Sequence, residues 1–281
     1  VKNPYKPYPV RIEQIQTETV DRMLKTFTFR FLNPEDQAAF TYRPGQFAML
    51  SIPGVGEIPI GIASAPCEAD IVKFTVFRTG KVTTFLHQMK VSDEMGIRGP
   101  MGNGFPMDQM VGKSILAIGG GFAFTTLRAT VKTMLEPQNR KKFNRIDVVY
   151  GARHPGMLLY RDELMAWEKR DDINIHITVD ATDDPDWMYH TGFVPMVVEQ
   201  CVPKIRNDAV AIVCGPPVMI KFTRPVLQQL GYKDKDILMS LENRMKCGFG
   251  MCGRCNIGKE LICKDGPVFT LDALNQTPGE F

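Results

Sequence analysis

Lys113–Thr126 reads K-S-I-L-A-I-G-G-G-F-A-F-T-T, and the chain continues L-R-A-T-V-K-T-M-L to Leu135. Lys113–Ile118 is a short run dominated by apolar residues, the mark of a buried strand. Gly119-Gly120-Gly121 end it, and apolar residues then recur at helical spacing from Phe122 to Leu135. A strand that passes through glycines into a helix is the opening turn of an α/β unit. The alternation continues downstream. Arg145–Tyr150, Ile173–Val179, Ala209–Cys214 and Ile237–Leu241 read as strands. Leu158–Lys169, Phe193–Gln200 and Pro217–Leu230 read as helices between them. Such alternation predicts a parallel sheet with helices on both faces.

Upstream the texture differs. Val10–Thr17, Leu24–Phe31, Gln46–Ile52 and Ile71–Arg78 are short strand patterns punctuated by Pro and Gly, which argues for an all-β barrel or sandwich. Met107–Gly112 is the best linker candidate between the two regions. The C-terminal region carries a third signal. Cys247, Cys252, Cys255 and Cys263 are spaced C-x4-C-x2-C-x7-C. The first three follow the spacing of a plant-type 2Fe–2S loop, and a fourth thiolate lies further on. A zinc knuckle is the alternative, but zinc sites usually pair C-x2-C units. Gly248, Gly250 and Gly253 let backbone N–H groups approach sulfur closely.

The 281 residues suffice for two domains and an appendage. Lys and Arg number 34 against 31 Asp and Glu, a balance that gives no sign of nucleic-acid binding. No apolar run approaches a membrane span, and the N-terminal residues show no secretory signal pattern. Seven cysteines, four in one tight loop, suit metal ligation in a reducing compartment, so a cytoplasmic location is expected.

Arg78-Thr79-Gly80-Lys81-Val82-Thr83-Thr84 sits where a strand gives way to a helix over Val82–Met89. Gly80 permits the sharp turn, the helix start offers N–H groups to a phosphate, and Thr83 and Thr84 can add hydroxyls. A capped helix start without a ligand is the plainer reading. The Gly119–Gly121 triplet lies at the carboxyl end of the first sheet strand, where such sheets bind nucleotides, but it departs from G-x-G-x-x-G. Close helix–strand packing is its plainer reading. Cys214-Gly215-Pro216-Pro217 ends another strand on the same rim, so Cys214 lines either a ring pocket or the core. Gly99–Phe105 says only that there is a loop. His87, His154, His176 and His190 are scattered, suggest no hydrolase triad, and are expected to be structural or superficial.

Together these features resemble the ferredoxin–NADP reductase superfamily. The chain is most similar to the superfamily's iron–sulfur electron-transfer subunits, which include sulfhydrogenase gamma subunits, anaerobic sulfite reductase B subunits and dihydroorotate dehydrogenase electron-transfer subunits. The similarity runs from Arg43-Pro44-Gly45-Gln46-Phe47 to Asp265-Gly266-Pro267-Val268-Phe269. Ile52–Ile60 and Arg244–Gly248 look closest to the sulfhydrogenase and sulfite reductase branch.

The resemblance implies an FAD-binding β-barrel over 1–108, an NAD(P)-binding α/β domain over 109–236, and a 2Fe–2S segment over 237–281. Pro59, Ile60, Gly61 and Ile62 would lie against the flavin ring, with Val76, Phe77 and Arg78. Gly80, Lys81, Val82, Thr83 and Thr84 would hold its pyrophosphate. Gly120, Gly121, Gly151, Arg153 and Asp180 would face the nicotinamide nucleotide, and Cys214, Gly215 and Pro216 would border its ring. Cys247, Cys252, Cys255 and Cys263 would hold the cluster. No side-chain acid or base is required. Electrons would pass between NAD(P)H and a partner redox subunit of a heteromeric complex, such as a hydrogenase, a sulfite reductase or a heterodisulfide-reductase-type assembly.

The departures define an alternative. Ile58 and Gly61 stand where many relatives carry Arg and Ser, and Ala123 and Thr126 interrupt the usual nucleotide turn. A relay or scaffold subunit that holds flavin and cluster without nicotinamide would tolerate them. Asp180, with no Arg or Lys between Asp171 and Pro203, favours NADH over NADPH.

Overall fold

The N-terminal half of the chain builds one antiparallel sheet. The structure, a computed structural model, describes residues 3–68, 70–205, 208–242 and 244–277. Six strands, β1 (Tyr8–Thr17), β2 (Leu24–Phe31), β3 (Phe47–Ile52), β4 (Gly56–Gly61), β5 (Val72–Phe77) and β6 (Glu94–Met101), lie in the order β4-β3-β6-β1-β2-β5. The sheet curls until its edges meet, and Ala63 N–H, just past β4, donates to the Lys73 carbonyl of β5 (2.9 Å). Val10, Ile12, Phe27, Phe29, Leu50, Phe74 and Ile97 fill the interior.

The four expected strands of this half are present. β4 and β6 are additions, and their sequences explain why. G-E-I-P-I-G and E-M-G-I-R-G-P-M carry Gly and Pro that hide the two-residue alternation.

The second sheet is parallel apart from its last strand. β7 (Ser114–Gly120), β8 (Ile146–Ala152), β9 (Asn174–Val179), β10 (His190–Thr191), β11 (Ala209–Cys214) and β12 (Ile237–Ser240) are ordered β10-β9-β8-β7-β11-β12. β13 (Asn256–Ile257) and β14 (Glu260–Leu261) form a small hairpin. β15 (Val268–Thr270) then returns antiparallel to β12. The central strands β7, β8 and β11 are buried on both faces, by the Phe124–Leu135 and Arg161–Glu168 helices on one side and the Val194–Cys201 and Pro217–Gln229 helices on the other.

The expected strands and helices of this half recur within a few residues. The helix expected from Leu158 starts at Arg161, because Tyr160 is left-handed (φ 52°) and blocks an earlier start. The Met107–Gly112 linker contains a short 3-10 turn whose Met110 is buried in the sheet's core.

One ion-pair cluster fastens the sheets together. Arg128, in the Phe124–Leu135 helix, is 2% exposed and donates to the Ala63 carbonyl (2.6 Å), to Glu68 (2.9 Å) and to Glu163 (2.5 Å).

Candidate functional site

The four cysteines occupy the segment that leaves β12 and returns as β15. The β13–β14 hairpin, turning at Gly258, brings Cys255 and Cys263 together, with Cys263 N–H directed at Cys255 Sγ (3.5 Å). Gly250 N–H donates to Cys263 Sγ (3.1 Å) and Met251 N–H to Cys247 Sγ (3.3 Å). Gly248 and Gly250 take φ of 83° and 86°, a conformation that turns the N–H groups inward and that only glycine adopts cheaply.

Burial disfavours a thiolate at Cys247. N–H groups of Phe249, Cys252 and Met251 outweigh it and lower the pKa to about 6. Cys263 moves the other way, to about 12, through burial and the adjoining Cys255 sulfur. The buried Cys263 sulfur, which resists ionisation beside a second sulfur, calls for cations, and amide-solvated thiolates are what a metal cluster takes. The donor set therefore fits an iron–sulfur centre.

This segment sits on the barrel. A Cβ added to Gly248 would meet Met101 Sδ at 2.4 Å and Met49 Cγ at 3.4 Å. Arg98 of β6, 3% exposed, donates to the Cys247 carbonyl (2.9 Å) and to Glu57 of β4 (2.8 Å), and lies over the Phe249 ring. Asn103 clamps the return segment. Its side chain donates to Val268 O (2.7 Å) and accepts from Val268 N–H (3.1 Å). Asn103 belongs to the stretch that reads in sequence as a plain loop, and only its long-range partners give it a role.

Strand alternation decides which β4 residues face the cysteines. Met49 pairs with Pro59 and Phe47 with Gly61, so Pro59 and Gly61 share the outer face that meets the cysteine segment and the second sheet. Ile58 and Ile60 turn toward the barrel core, and Ile62 is buried there. Val76 differs from the expectation that it lies against the flavin, being buried in the barrel core with its carbonyl meeting His87 Nε2 (2.9 Å). Phe77, Arg78, Gly80, Lys81 and Thr84 are exposed, with Val82 half-buried. Thr83 differs from the expectation that it adds a hydroxyl for a phosphate. Its Oγ1 accepts from the N–H groups of Thr79 (2.9 Å) and Gly80 (2.8 Å) and donates to Gly80 O (3.0 Å). It completes the turn, and Arg78, Lys81 and Thr84 remain to face an anion.

Strand register brings the expected nucleotide residues to one rim. Cys214 pairs with Gly119, Gly120 with Gly151, and Ala152 with Val179, next to Arg153 and Asp180. The glycines divide by use. A Cβ on Gly119 would meet Phe124 at 2.6 Å, on Gly120 Met219 at 2.5 Å, on Gly151 Val194 at 2.3 Å, and on Gly215 Met219 at 2.2 Å. These four permit close packing. Gly121 has φ +54° and nothing within 4 Å. It opens onto the Phe124–Leu135 helix, whose first turn has no side-chain cap. A 3-10 turn over Gly121–Ala123 leads into that helix, and the Phe124 N–H already donates to Gly121 O, so a phosphate would have to meet the N–H groups at the start of the glycine turn itself. Pro216 caps the next helix beside Gly120. Cys214 is buried, and desolvation pushes its thiol up to about 12, so it is a neutral, apolar member of the rim. Burial raises the Asp180 carboxyl while the nearby Arg153 pulls it down.

The comparisons with known proteins agree with this geometry. The oxidoreductase NAD-binding domain family matches residues 117–225, and the iron–sulfur cluster binding domain of dihydroorotate dehydrogenase B matches residues 242–275. The sulfhydrogenase 1 subunit gamma of Pyrococcus furiosus is 39% identical, over 99% of this chain and 95% of the relative. The chain belongs to this family. A probable dihydroorotate dehydrogenase B electron transfer subunit of Methanocaldococcus jannaschii is 33% identical, over 96% of this chain and 91% of its own length. The solved NADH-dependent reduced ferredoxin–NADP oxidoreductase superposes with a TM-score of 0.74 at 25% identity, over 96% of this chain and 93% of the other. The fold is thus that of the ferredoxin–NADP reductases, with an iron–sulfur binding domain at the C-terminal end. The ferredoxin–NADP+ reductase of Neisseria gonorrhoeae, solved with FAD and NADP, shares that fold (TM-score 0.67 at 19% identity, over 82% of this chain and 96% of the other).

Proposed function

We propose that the chain is the electron-transfer subunit of a heteromeric oxidoreductase. It carries FAD and a 2Fe–2S cluster and passes electrons between a nicotinamide nucleotide, preferentially NADH, and a partner redox subunit. The observation that carries this reading is the seating of Cys247–Gly248 on Met49, whose pairing partner Pro59 lies on the same barrel face. Two sites on one face put electron exchange within reach without an intervening layer of protein. A flavin there supplies the conversion between two-electron hydride and the one-electron steps an iron–sulfur cluster accepts.

The protein's part is positioning. Pro59 and Gly61 offer a flat, half-buried strand surface, Phe77 an exposed ring, and Arg78 and Lys81 cations beside the helix start after Gly80. Cys247, Cys252, Cys255 and Cys263 would ligate the cluster. The C-x4-C-x2-C spacing supports a binuclear iron–sulfur centre over zinc, whose sites usually pair C-x2-C units. Gly121 and the start of the glycine turn would take the nucleotide phosphates, with Asp180 toward the ribose.

The family resemblance makes a hydrogenase, sulfite reductase or heterodisulfide-reductase-type assembly the class of partner. The family proteins named above carry subunit designations that agree with a heteromeric setting. Among the described residues no helix is long and apolar enough to cross a membrane.

Anaerobic purification followed by an absorption spectrum, iron, sulfide and flavin analysis, and NADH titration tests the proposal. Two irons and two sulfides with one FAD, bleached by NADH, are expected. A colourless preparation or zinc in the hairpin overturns it. A relay subunit that binds no nicotinamide is the second reading. It draws on Gly120 and Gly151, whose open faces are filled by Met219 and Val194. Flavin that bleaches with dithionite and not with NADH would establish that alternative.

A further inference from the structure

Three ligand-type side chains that the sequence leaves scattered converge at the β10 edge of the parallel sheet. His176 lies on β9, His190 on β10, and Cys201 is the last residue of the Val194–Cys201 helix. Each is half-buried, and one ligand atom from each lies within 4.8 Å of the other two. Cys201 Sγ is 3.6 Å from His190 Nε2. Around tetrahedral zinc, with Zn–N near 2.0 Å and Zn–S near 2.3 Å, a nitrogen and a sulfur ligand stand about 3.5 Å apart. That pair already has the separation that an ion between them imposes.

His176 supplies an independent observation. Its Nε2 is buried and has no hydrogen-bond partner. Buried polar nitrogens are nearly always satisfied, so an orphan beside a thiol and a second imidazole points to a missing ligand. Strand alternation puts His176 on the face opposite Ile175 and Ile177, which pack into the other core, and therefore on the side of the Val194–Cys201 helix.

We propose that His176, His190 and Cys201 form a binding site for a borderline-soft divalent cation of the zinc class, distinct from the cysteine hairpin, with a fourth position open to water. On binding, the Cys201 thiol loses its proton to solvent, the sulfur–metal bond forms, and each imidazole contributes a ring nitrogen lone pair without any change of oxidation state. The topology supplies a purpose. β10 is an edge strand of two residues, held by the pairings His190 with Thr178 and Thr191 with Val179. An ion would tie β9, β10 and the helix end together, closing both ends of the connection that begins at Asp180.

The test uses the anaerobically purified holoprotein, incubated with zinc and desalted, with zinc, iron, sulfide and flavin measured on the same sample. Wild type should retain one zinc per chain, and Cys201→Ala and His190→Gln should each lose it while keeping iron, sulfide and flavin. With cobalt(II) as the probe, a thiolate-to-cobalt absorption should appear in wild type and vanish in Cys201→Ala. Failure of wild type to retain zinc or cobalt overturns the site and leaves a His–Cys contact. Equal retention by both variants, or zinc uptake matched by iron loss, places the ion elsewhere and also overturns it. Retained iron and flavin in the two variants report that each has folded.

Discussion

Thr126 Oγ1 stands 2.9 Å from where a Cβ on Gly61 would lie. Gly61 ends β4 of the barrel and Thr126 lies in the Phe124–Leu135 helix of the other half, and by the resemblance both depart from the usual pattern, with Ser expected at the first position. The departures are complementary. A side chain missing from the barrel strand leaves space that a hydroxyl from the nucleotide-side helix fills.

That pair predicts a coupled stability change. Thr126 is β-branched and stiff at χ1, so Gly61→Ala forces overlap and should cost about 1–3 kcal/mol. Gly61→Ala with Thr126→Ala should recover most of the loss. Thermal denaturation of the four members of the cycle measures it, and strictly additive effects would show that the contact carries no weight.

Arg128 should control acid stability. Burial alone would raise the Glu68 pKa, but hydrogen bonds and charge from Arg128 outweigh it and hold it well below the ordinary 4.5; Glu163 is lowered in the same way. Folded pKa values below the unfolded value mean stability that is fully present above pH about 4.5 and drains away as pH falls through the folded values. Arg128→Met leaves two carboxylates buried against an apolar side chain and should cost about 3–5 kcal/mol at neutral pH. Its melting temperature should fall less steeply below pH 4.5 than that of wild type, because the carboxylates, left with Lys73 and Lys132 alone, are held less far below their ordinary pKa. An identical acid profile would remove Arg128 from this role.

Arg98 should govern cluster retention without touching sulfur. It anchors the Cys247 carbonyl and pairs with Glu57. Arg98→Met frees that carbonyl, and the cluster should bleach in air several-fold faster with flavin content unchanged. Cys255→Ala should lose iron and sulfide outright. Equal bleaching of Arg98→Met and wild type would show that the cysteine segment holds itself in place.

Nucleotide use should respond at two positions. Gly121→Val places a β-branched residue at φ +54°, strained by about 1–2 kcal/mol, in the open glycine turn, and should raise KM for NADH while leaving iron and flavin intact. Asp180→Ala should move the NADH-to-NADPH ratio of kcat/KM toward NADPH by about tenfold, since a carboxylate repels a 2′-phosphate. Unchanged cofactor kinetics in both variants would remove Gly121 and Asp180 from the nucleotide site.

Five strands of the second sheet were legible because they are largely apolar runs and each helix carries its own period, whereas the two polar residues of β10 and the three of β15 were too short to read. β4 and β6 were not, because the Gly and Pro that shape them erase alternation. The cysteine spacing marked the candidate ligands, while Asn103 and Arg98 gave no local signal; their partners lie 165 and 149 residues away. The glycine-rich turn was recognised, but which glycine stays open depended on Met219 and Val194 arriving from later helices.

By itself, then, the sequence determined the change from a strand-rich region to alternating strands and helices, the cysteine quartet and the glycine turns, since these rest on spacing along the backbone. Only the tertiary structure decided that the cysteine segment lies against the barrel strand beside Pro59, that Gly121 is the open glycine, and that His176, His190 and Cys201 meet. The physical reason is that these relations come from side chains brought together by sheet pairing and helix packing, and residues far apart in sequence carry no periodic trace of their future neighbours.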